Sequence, residues 1–335
     1  MLLASALFAG LPWALAVFVG AALAPTDAAL SAAVINDDEV PRRLRRALNV
    51  ESGLNDGIAT PIVTVALAVA ATEVGAVDIS ASTEVAHALR ELGVGLLIGL
   101  GMGIGGAALI NASARRGWMA GGARRLAVLA LAVGGYALAV AVESNGFIAA
   151  FVAGAAFGAT LDRDVTDLEE SDELPELGGE LLALIVWFLF GAVLLPVAFH
   201  DVDARTVAYA LASLTIVRMV CVAVSLIGSR LDGASVVFVG WFGPRGLASV
   251  VFALLAVEGL PASNDQAPEA IAVVTLTVLL SVVLHGITAG PGARRYLRVE
   301  AGDSGPPMRA RKVLGSHGKH RRAVGHEGAD SSSDR

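Results

Sequence analysis

The sequence predicts an all-α polytopic membrane protein with about nine spans present, and three observations predict it. Of its 335 residues 55% are hydrophobic and only 16% are charged, where soluble domains average about 25% charged. Apolar runs of spanning length, roughly 20 residues, recur along the chain between short polar loops. The mean hydropathy is +0.69. This composition excludes a water-soluble enzyme of this length, since there is too little polar material to cover a globule. It equally excludes a disordered chain, a coiled coil, a collagen-like repeat and a disulfide scaffold. The single cysteine, Cys221, lies in an apolar run and reads as a packing residue.

The runs fall near 13–35, 46–72, 86–113, 123–142, 147–160, 179–199, 204–227, 233–258 and 268–289. Before the first, Met1 to Ala9 is apolar but too short to span ahead of Gly10 and Pro12, and reads as the end of a helix. A signal peptide is disfavoured because no Lys or Arg precedes Arg42. Pro25 interrupts the first run, and the second follows the arginine-rich loop ending at Arg46. The third carries Gly95, Gly99 and Gly103 at a spacing that lets another helix approach closely. Gly101, Gly103 and Gly106 match a dinucleotide fingerprint by accident, since no strand precedes them. The run 147–160 is short enough to be tilted or re-entrant, and Gly243-Pro244 interrupts 233–258. His87, His200 and His285 fall near span ends and read as interfacial histidines.

Orientation follows from the 24 Lys and Arg. Arg42, Arg43, Arg45 and Arg46 share one loop, and Arg115, Arg116, Arg124 and Arg125 flank another. Arg163, Arg230 and ten basic residues after Pro291 fall on the same side if nine spans alternate. The opposite loops near 73–85, 143–146 and 259–267 have none, so the arginine side is expected to be cytoplasmic. The acidic stretch Asp162 to Glu176 falls there too, with little topological weight. The polar tail 291–335 is expected to be cytoplasmic, basic and disordered. Its basic residues can touch anionic membrane lipid.

A charge at membrane depth costs at least ~2.5 to 3.5 kcal/mol, so each one faces a cavity or a partner. Asp27, Glu51, Asp56, Arg218 and Arg245 all lie inside runs. In Ala24-Pro25-Thr26-Asp27 the proline removes a backbone donor, which breaks the helix and frees carbonyls. In Glu51-Ser52-Gly53-Leu54-Asn55-Asp56, the pairs Glu51/Asn55 and Ser52/Asp56 each share a helix face. Asp56 lies about 15 Å from Arg46 along a helix, near the midplane of a ~30 Å core. Its carboxylate can bind a small cation together with the Ser52 hydroxyl, the Asn55 amide oxygen and freed carbonyls. The same group can hold a proton instead, because burial penalises its charged form. Gly243-Pro244-Arg245-Gly246 breaks its run as Pro25 breaks the first, and two such breaks in oppositely directed spans point to an inverted-repeat transporter. Arg245 is expected to balance carboxylates, chiefly Glu51, and Arg218 another acid or broken-helix carbonyls.

At these residues the chain resembles the NhaP-type sodium/proton antiporters of the monovalent cation/proton antiporter-1 family. The resemblance rests on Ala24 to Asp27, Glu51 to Gly57, Gly146-Phe147-Ile148-Ala149-Ala150-Phe151-Val152-Ala153-Gly154 and Gly240-Trp241-Phe242-Gly243-Pro244-Arg245-Gly246. It implies an antiporter domain over 1–290 with two crossed broken helices, core helices about 13–72 and 204–289, and dimer-side helices about 123–199. It implies a cation site at Asp56, Asp27, Thr26 and Ser52, with Glu51 paired to Arg245 or Arg218 and Asn55 as a structural neighbour. The Asn55-Asp56 pair resembles the electroneutral branch, one sodium for one proton; lithium or potassium are the other candidate cations. No cofactor and no nucleic acid is implied; the partners are the cation, the proton, membrane lipid and a second copy in a homodimer. The expected location is the plasma membrane. The family's usual span count further implies that about four N-terminal spans before Leu11 are missing. The alternative is a shortened, non-transporting membrane protein that binds or modulates a full-length relative. A membrane-embedded hydrolase is disfavoured, because no metal-ligand spacing or nucleophile motif accompanies the acids.

Overall fold

A computed structural model describes residues 1–27, 29–31, 39–73, 81–162, 168–260 and 266–300, and all regular structure among them is helical. In chain order the helices are α1 (Leu2–Leu7), α2 (Trp13–Ala22), α3 (Arg42–Glu73), α4 (Ala81–Arg115), α5 (Gly121–Ala141) and α6 (Gly146–Thr160). Helix α7 runs over Leu168–Leu189, passes through a π turn at Phe190–Leu194 and ends with Leu195–His200. Helix α8 likewise joins Ala204–Ala212 to Arg218–Ser225 through a π turn at Ser213–Val217. Then follow α9 (Gly233–Trp241), α10 (Leu247–Gly259) and α11 (Ala267–Glu300).

Among the described residues five helices are long and apolar enough to cross a membrane: Leu89–Arg115, Gly122–Ala141, Leu177–His200, Ala204–Ser225 and Ala267–Val299. Trp13–Ala22, Ile58–Ala71, Gly146–Thr160 and Leu247–Gly259 are shorter apolar helices. Trp13–Ala22 and Leu247–Gly259 owe their shortness to the breaks read from sequence. Helix α2 stops at Ala22, before Pro25, and α9 stops at Trp241, before Gly243-Pro244. In the second half of the first interrupted run, residues 28 and 32–35 lie outside the described residues.

Helix α3 starts at Arg42, so Glu51 to Asp56 sit in its interior and not at an N-terminal cap. Helix α11 continues through Pro291 to Glu300, some ten residues past the point where the tail is expected to begin. The lost proline donor is tolerated there because Ala289, Ala293 and Tyr296 remain packed against Phe238 and Phe242 of α9 and Leu44 of α3. Residues 301–335 lie outside the described residues.

The helices pack in two groups. Helices α2, α3, α8, α9, α10 and α11 surround the two breaks, while α4, α5 and α6 pack mainly on one another, and α7 runs between α5 and the α10/α11 pair. The glycines of α4 set its approach to α6. A Cβ at Gly95 would stand 2.8 Å from the Asn145 carbonyl oxygen, and one at Gly99 2.6 Å from that of Ala149. Only glycine allows backbone-to-backbone contact at those positions, as expected of a small-residue stripe.

Asp203 opens α8 with a capping box. Its carboxylate accepts the backbone N–H of Thr206 at 2.8 Å and of Arg205 at 2.9 Å. The Thr206 bonds hold the carboxyl below the usual Asp range. A depressed carboxyl contributes stability above its unfolded-state pKa and loses it as pH falls through the folded value. Asp203→Ala is therefore expected to cost about 1 kcal/mol near neutral pH. The difference from the parent protein shrinks on acidification, as thermal unfolding across a pH series checks.

Candidate functional site

The two breaks touch. The backbone N–H of Asp27 donates to the Pro244 carbonyl at 2.8 Å. Each break then receives the charged side chain of the other. Asp27 Oδ2 accepts the N–H of Leu247, the first residue of α10, at 3.0 Å, placing a carboxylate at a helix N-terminus. Asp27 Oδ1 accepts the N–H groups of Ala29 at 2.8 Å and Leu30 at 3.3 Å. In return Arg245 Nη1 donates to the carbonyls of Ala24 at 2.8 Å and Pro25 at 3.2 Å, which the broken α2 leaves without helical donors. The Arg245 N–H is taken by Ser281 Oγ at 2.7 Å.

Of the two arginines expected for Glu51, the partner is Arg218, and the first expectation, Arg245, is corrected. Its Nη1 donates to Glu51 Oε1 at 2.6 Å and its Nη2 to Oε2 at 3.1 Å, a fork on a carboxylate. The same guanidinium donates from Nε to the Gly240 carbonyl at 3.1 Å and from Nη2 to that of Val239 at 3.4 Å, satisfying the end of α9. Arg245 Nη1 is taken by the other break, while its Nε is buried without a hydrogen-bond partner among the described residues. Both arginines are buried, at 6% and 5% exposure, so each must be partnered to be stable. Asn55 Nδ2 donates to Glu51 Oε1 at 3.4 Å.

Glycines make this crossing possible. A Cβ at Gly246 would run into the Asp27 carboxylate, and one at Gly243 into the Arg218 guanidinium. Gly246→Ala is expected to push Asp27 off the α10 N-terminus and to cost about 1 to 3 kcal/mol, the range for overpacking. A lowered melting temperature of the purified protein checks this.

Beside the crossing, Thr26 Oγ1 and Ser52 Oγ are buried and share a hydrogen bond of 3.1 Å. One turn along α3 from Ser52 lies Asp56. Its Oδ1 is buried without a hydrogen-bond partner among the described residues. Of the four acids and hydroxyls named from sequence as cation ligands, Thr26 and Ser52 touch, Asp27 adjoins Thr26 and Asp56 follows Ser52 by one helical turn, but they are not equivalent. Both Asp27 oxygens are occupied by backbone donors; Asp56 alone presents an unused carboxylate oxygen.

Two contributors escaped sequence reading. His285, expected at an interface, is buried inside α11 at 3% exposure. Its Nε2 contacts the Trp241 carbonyl at 2.9 Å and its Nδ1 contacts Ser281 Oγ at 3.2 Å. Ser281 and His285 thereby link the end of α9 to the Arg245 backbone. The signal available in sequence was their spacing of four residues, which puts two polar groups on one face of an apolar helix.

The family model described as the transmembrane sodium/hydrogen exchanger matches residues 1–295. The chain is 27% identical over 309 residues to a protein of Alkalimonas amylolytica named K(+)/H(+) antiporter NhaP, covering 91% of this chain and 51% of that protein. It is 29% identical over 292 residues to the Na(+)/H(+) antiporter NhaP of Pseudomonas aeruginosa, covering 82% of this chain and 65% of that one. The chain thus spans about half to two thirds of the length of these relatives. The structure of the sodium proton antiporter MjNhaP1 from Methanocaldococcus jannaschii superposes with a TM-score of 0.69 at 21% identity, over 88% of this chain and 74% of that one.

Proposed function

This chain belongs to the transmembrane sodium/hydrogen exchanger family, and from that premise we propose that it is a multi-pass membrane antiporter exchanging a monovalent cation for a proton at Asp56. The observation that carries the reading is the unpartnered, buried Asp56 Oδ1 beside the Thr26 and Ser52 hydroxyls. A carboxylate oxygen kept from water without a donor is stabilised by a bound proton or by a cation, and not by both at once. Thr26 and Ser52 supply further hard oxygen ligands, together with carbonyls of the first break. Asp27 acts through the crossing: it holds α10 against the first break and adds negative field at the site.

Site occupancy favours a one-for-one exchange. Glu51 is paired with Arg218, and both Asp27 oxygens accept backbone N–H groups. The Asp56 carboxylate is left as the group that one monovalent cation or one proton can take. The relatives are named for sodium and for potassium, and sodium, lithium and potassium all suit oxygen ligands. We place the protein in the cell membrane with the arginine-rich loops and the C-terminus on the cytoplasmic side. Movement of one helix group against the other would carry the site between the two sides.

The test is proton movement in proteoliposomes holding this chain after a pulse of sodium, lithium or potassium chloride. Cation-dependent dissipation of a preset pH gradient is expected for at least one of them. Absence of a response to all three contradicts the proposal.

A further inference from the structure

Away from the crossing, α9 and the end of α11 enclose an apolar cleft of about 230 Å³. Phe238, Phe242 and Tyr296 form its floor, with ring centroids 4.6 and 4.4 Å apart. Its polar groups are turned away: the Tyr296 hydroxyl is bonded to Ser235 Oγ at 2.9 Å, and the Trp241 indole N–H donates to Thr288 Oγ1 at 2.9 Å. Gly292 keeps the two walls close, since a Cβ there would stand 2.7 Å from Phe242 Cζ. Val237 and Val299 at the rim are 56% and 60% exposed. The one charge in the lining is Arg295.

Arg295 stands at the membrane surface. The apolar stretch of α11, Ala267–Val299, has 33 residues, about 50 Å of helix against a hydrocarbon core of ~30 Å. The excess length leaves one end or both beyond the core, and Arg294, Arg295 and Arg298 mark the C-terminal turns as an end that reaches the headgroups. Arg294 and Arg298 are on the same turns, and Arg230 precedes α9. Leu44 and Leu48 of α3 join the Phe238, Phe242 and Tyr296 cluster, so Arg42, Arg43 and Arg46 stand at this end as well. The acids nearby in sequence are Asp37, Asp38, Glu39, Asp232 and Glu300, fewer than the arginines, and Asp232 is turned to cap α9, accepting the Ser235 N–H at 3.4 Å. A cleft running from Phe242, at the second break, to an arginine mouth in the headgroup layer matches one ligand chemistry: an acyl chain carrying an anionic head.

We propose that this cleft binds an anionic phospholipid of the arginine-side leaflet, its acyl chain on the Phe238/Phe242/Tyr296 floor and its phosphate at Arg295. The chain's own segment after Glu300 is a poor occupant, since its seven Lys and Arg outnumber its four Asp and Glu and repeat the charge of the mouth. A bound lipid touches Trp241 and Phe242, the last residues before Gly243, and so lies against the second break.

The experiment is native mass spectrometry of the full 335-residue chain, delipidated and offered phosphatidylglycerol or phosphatidylcholine of identical acyl composition. Flux is not read, so the result is independent of whether the chain exchanges ions. The expected result is retention of phosphatidylglycerol over phosphatidylcholine, falling about fivefold in Arg295→Ala, the ordinary weight of one arginine at a charged surface. Val237→Trp, which fills the cleft, is expected to lose both lipids; Val299→Trp at the exposed rim serves the same purpose should the first variant fail to fold. Equal retention of the two lipids, or a phosphatidylglycerol preference unchanged by Arg295→Ala and the filling variant, overturns the proposal. So does a filling variant that dissociates a dimer while leaving lipid retention intact, since the cleft would then belong to a second copy.

Discussion

Asp56→Asn is expected to abolish cation-driven proton movement while leaving the protein inserted, monodisperse and as heat-stable as its parent. The amide keeps the shape of the carboxyl but carries no exchangeable charge, so neither the cation nor the proton finds its counter-ion. Stability is expected to hold because Oδ1 has no donor to lose and burying a neutral amide is less costly than burying a carboxylate. The comparison that gives this result its meaning is Thr60→Val in the same helix. The Thr60 side chain donates to the Asp56 backbone carbonyl at 2.7 Å, and its replacement should leave exchange measurable. A loss of exchange in both variants with equal loss of stability would point to packing of α3 and not to the carboxylate.

Arg218→Ala is expected to have the largest effect on folding. It leaves the Glu51 carboxylate without its fork and uncaps the Val239 and Gly240 carbonyls at once. Removing one member of a buried ion pair costs about 3 to 5 kcal/mol, because the other charge stays behind unpaired; with Glu51 23% exposed, the low end of that range is expected. The double variant Glu51→Gln/Arg218→Gln should recover part of that loss, since neither charge of the pair then remains to be left without the other. Arg245→Ala is expected to leave the Glu51–Arg218 pair intact and to weaken the first break instead, where the Ala24 and Pro25 carbonyls lose their donor. Thermal unfolding of the three purified variants separates these outcomes. A double variant no more stable than Arg218→Ala would mean that the guanidinium matters for the α9 carbonyls alone.

The sequence carried the parts of this site that depend on one helix or one proline. Pro25 and Pro244 announce both breaks through the donors they lack, and the Ser52/Asp56 spacing puts two oxygen ligands on one face of α3. The glycine stripe of α4 was legible for the same reason, a fixed helical period. What sequence could not supply was which charge meets which. Glu51 and Arg218 are 167 residues apart and Pro25 and Arg245 220, so their pairing is decided by how α3, α8, α9 and the breaks cross. Two arginines at similar depth gave no basis for choosing between them. The reach of α11 past Pro291 was hidden likewise, because the contacts that hold it come from α9 and α3.

The measurement that bears most directly on exchange at Asp56 is the cation concentration dependence of proton flux in proteoliposomes, repeated over a series of pH values. If one carboxylate serves both ligands, the apparent KM for the cation rises as pH falls, while the rate at saturating cation stays the same. An apparent KM that does not move with pH, in a chain that still exchanges, would place proton and cation at separate sites and contradict the account.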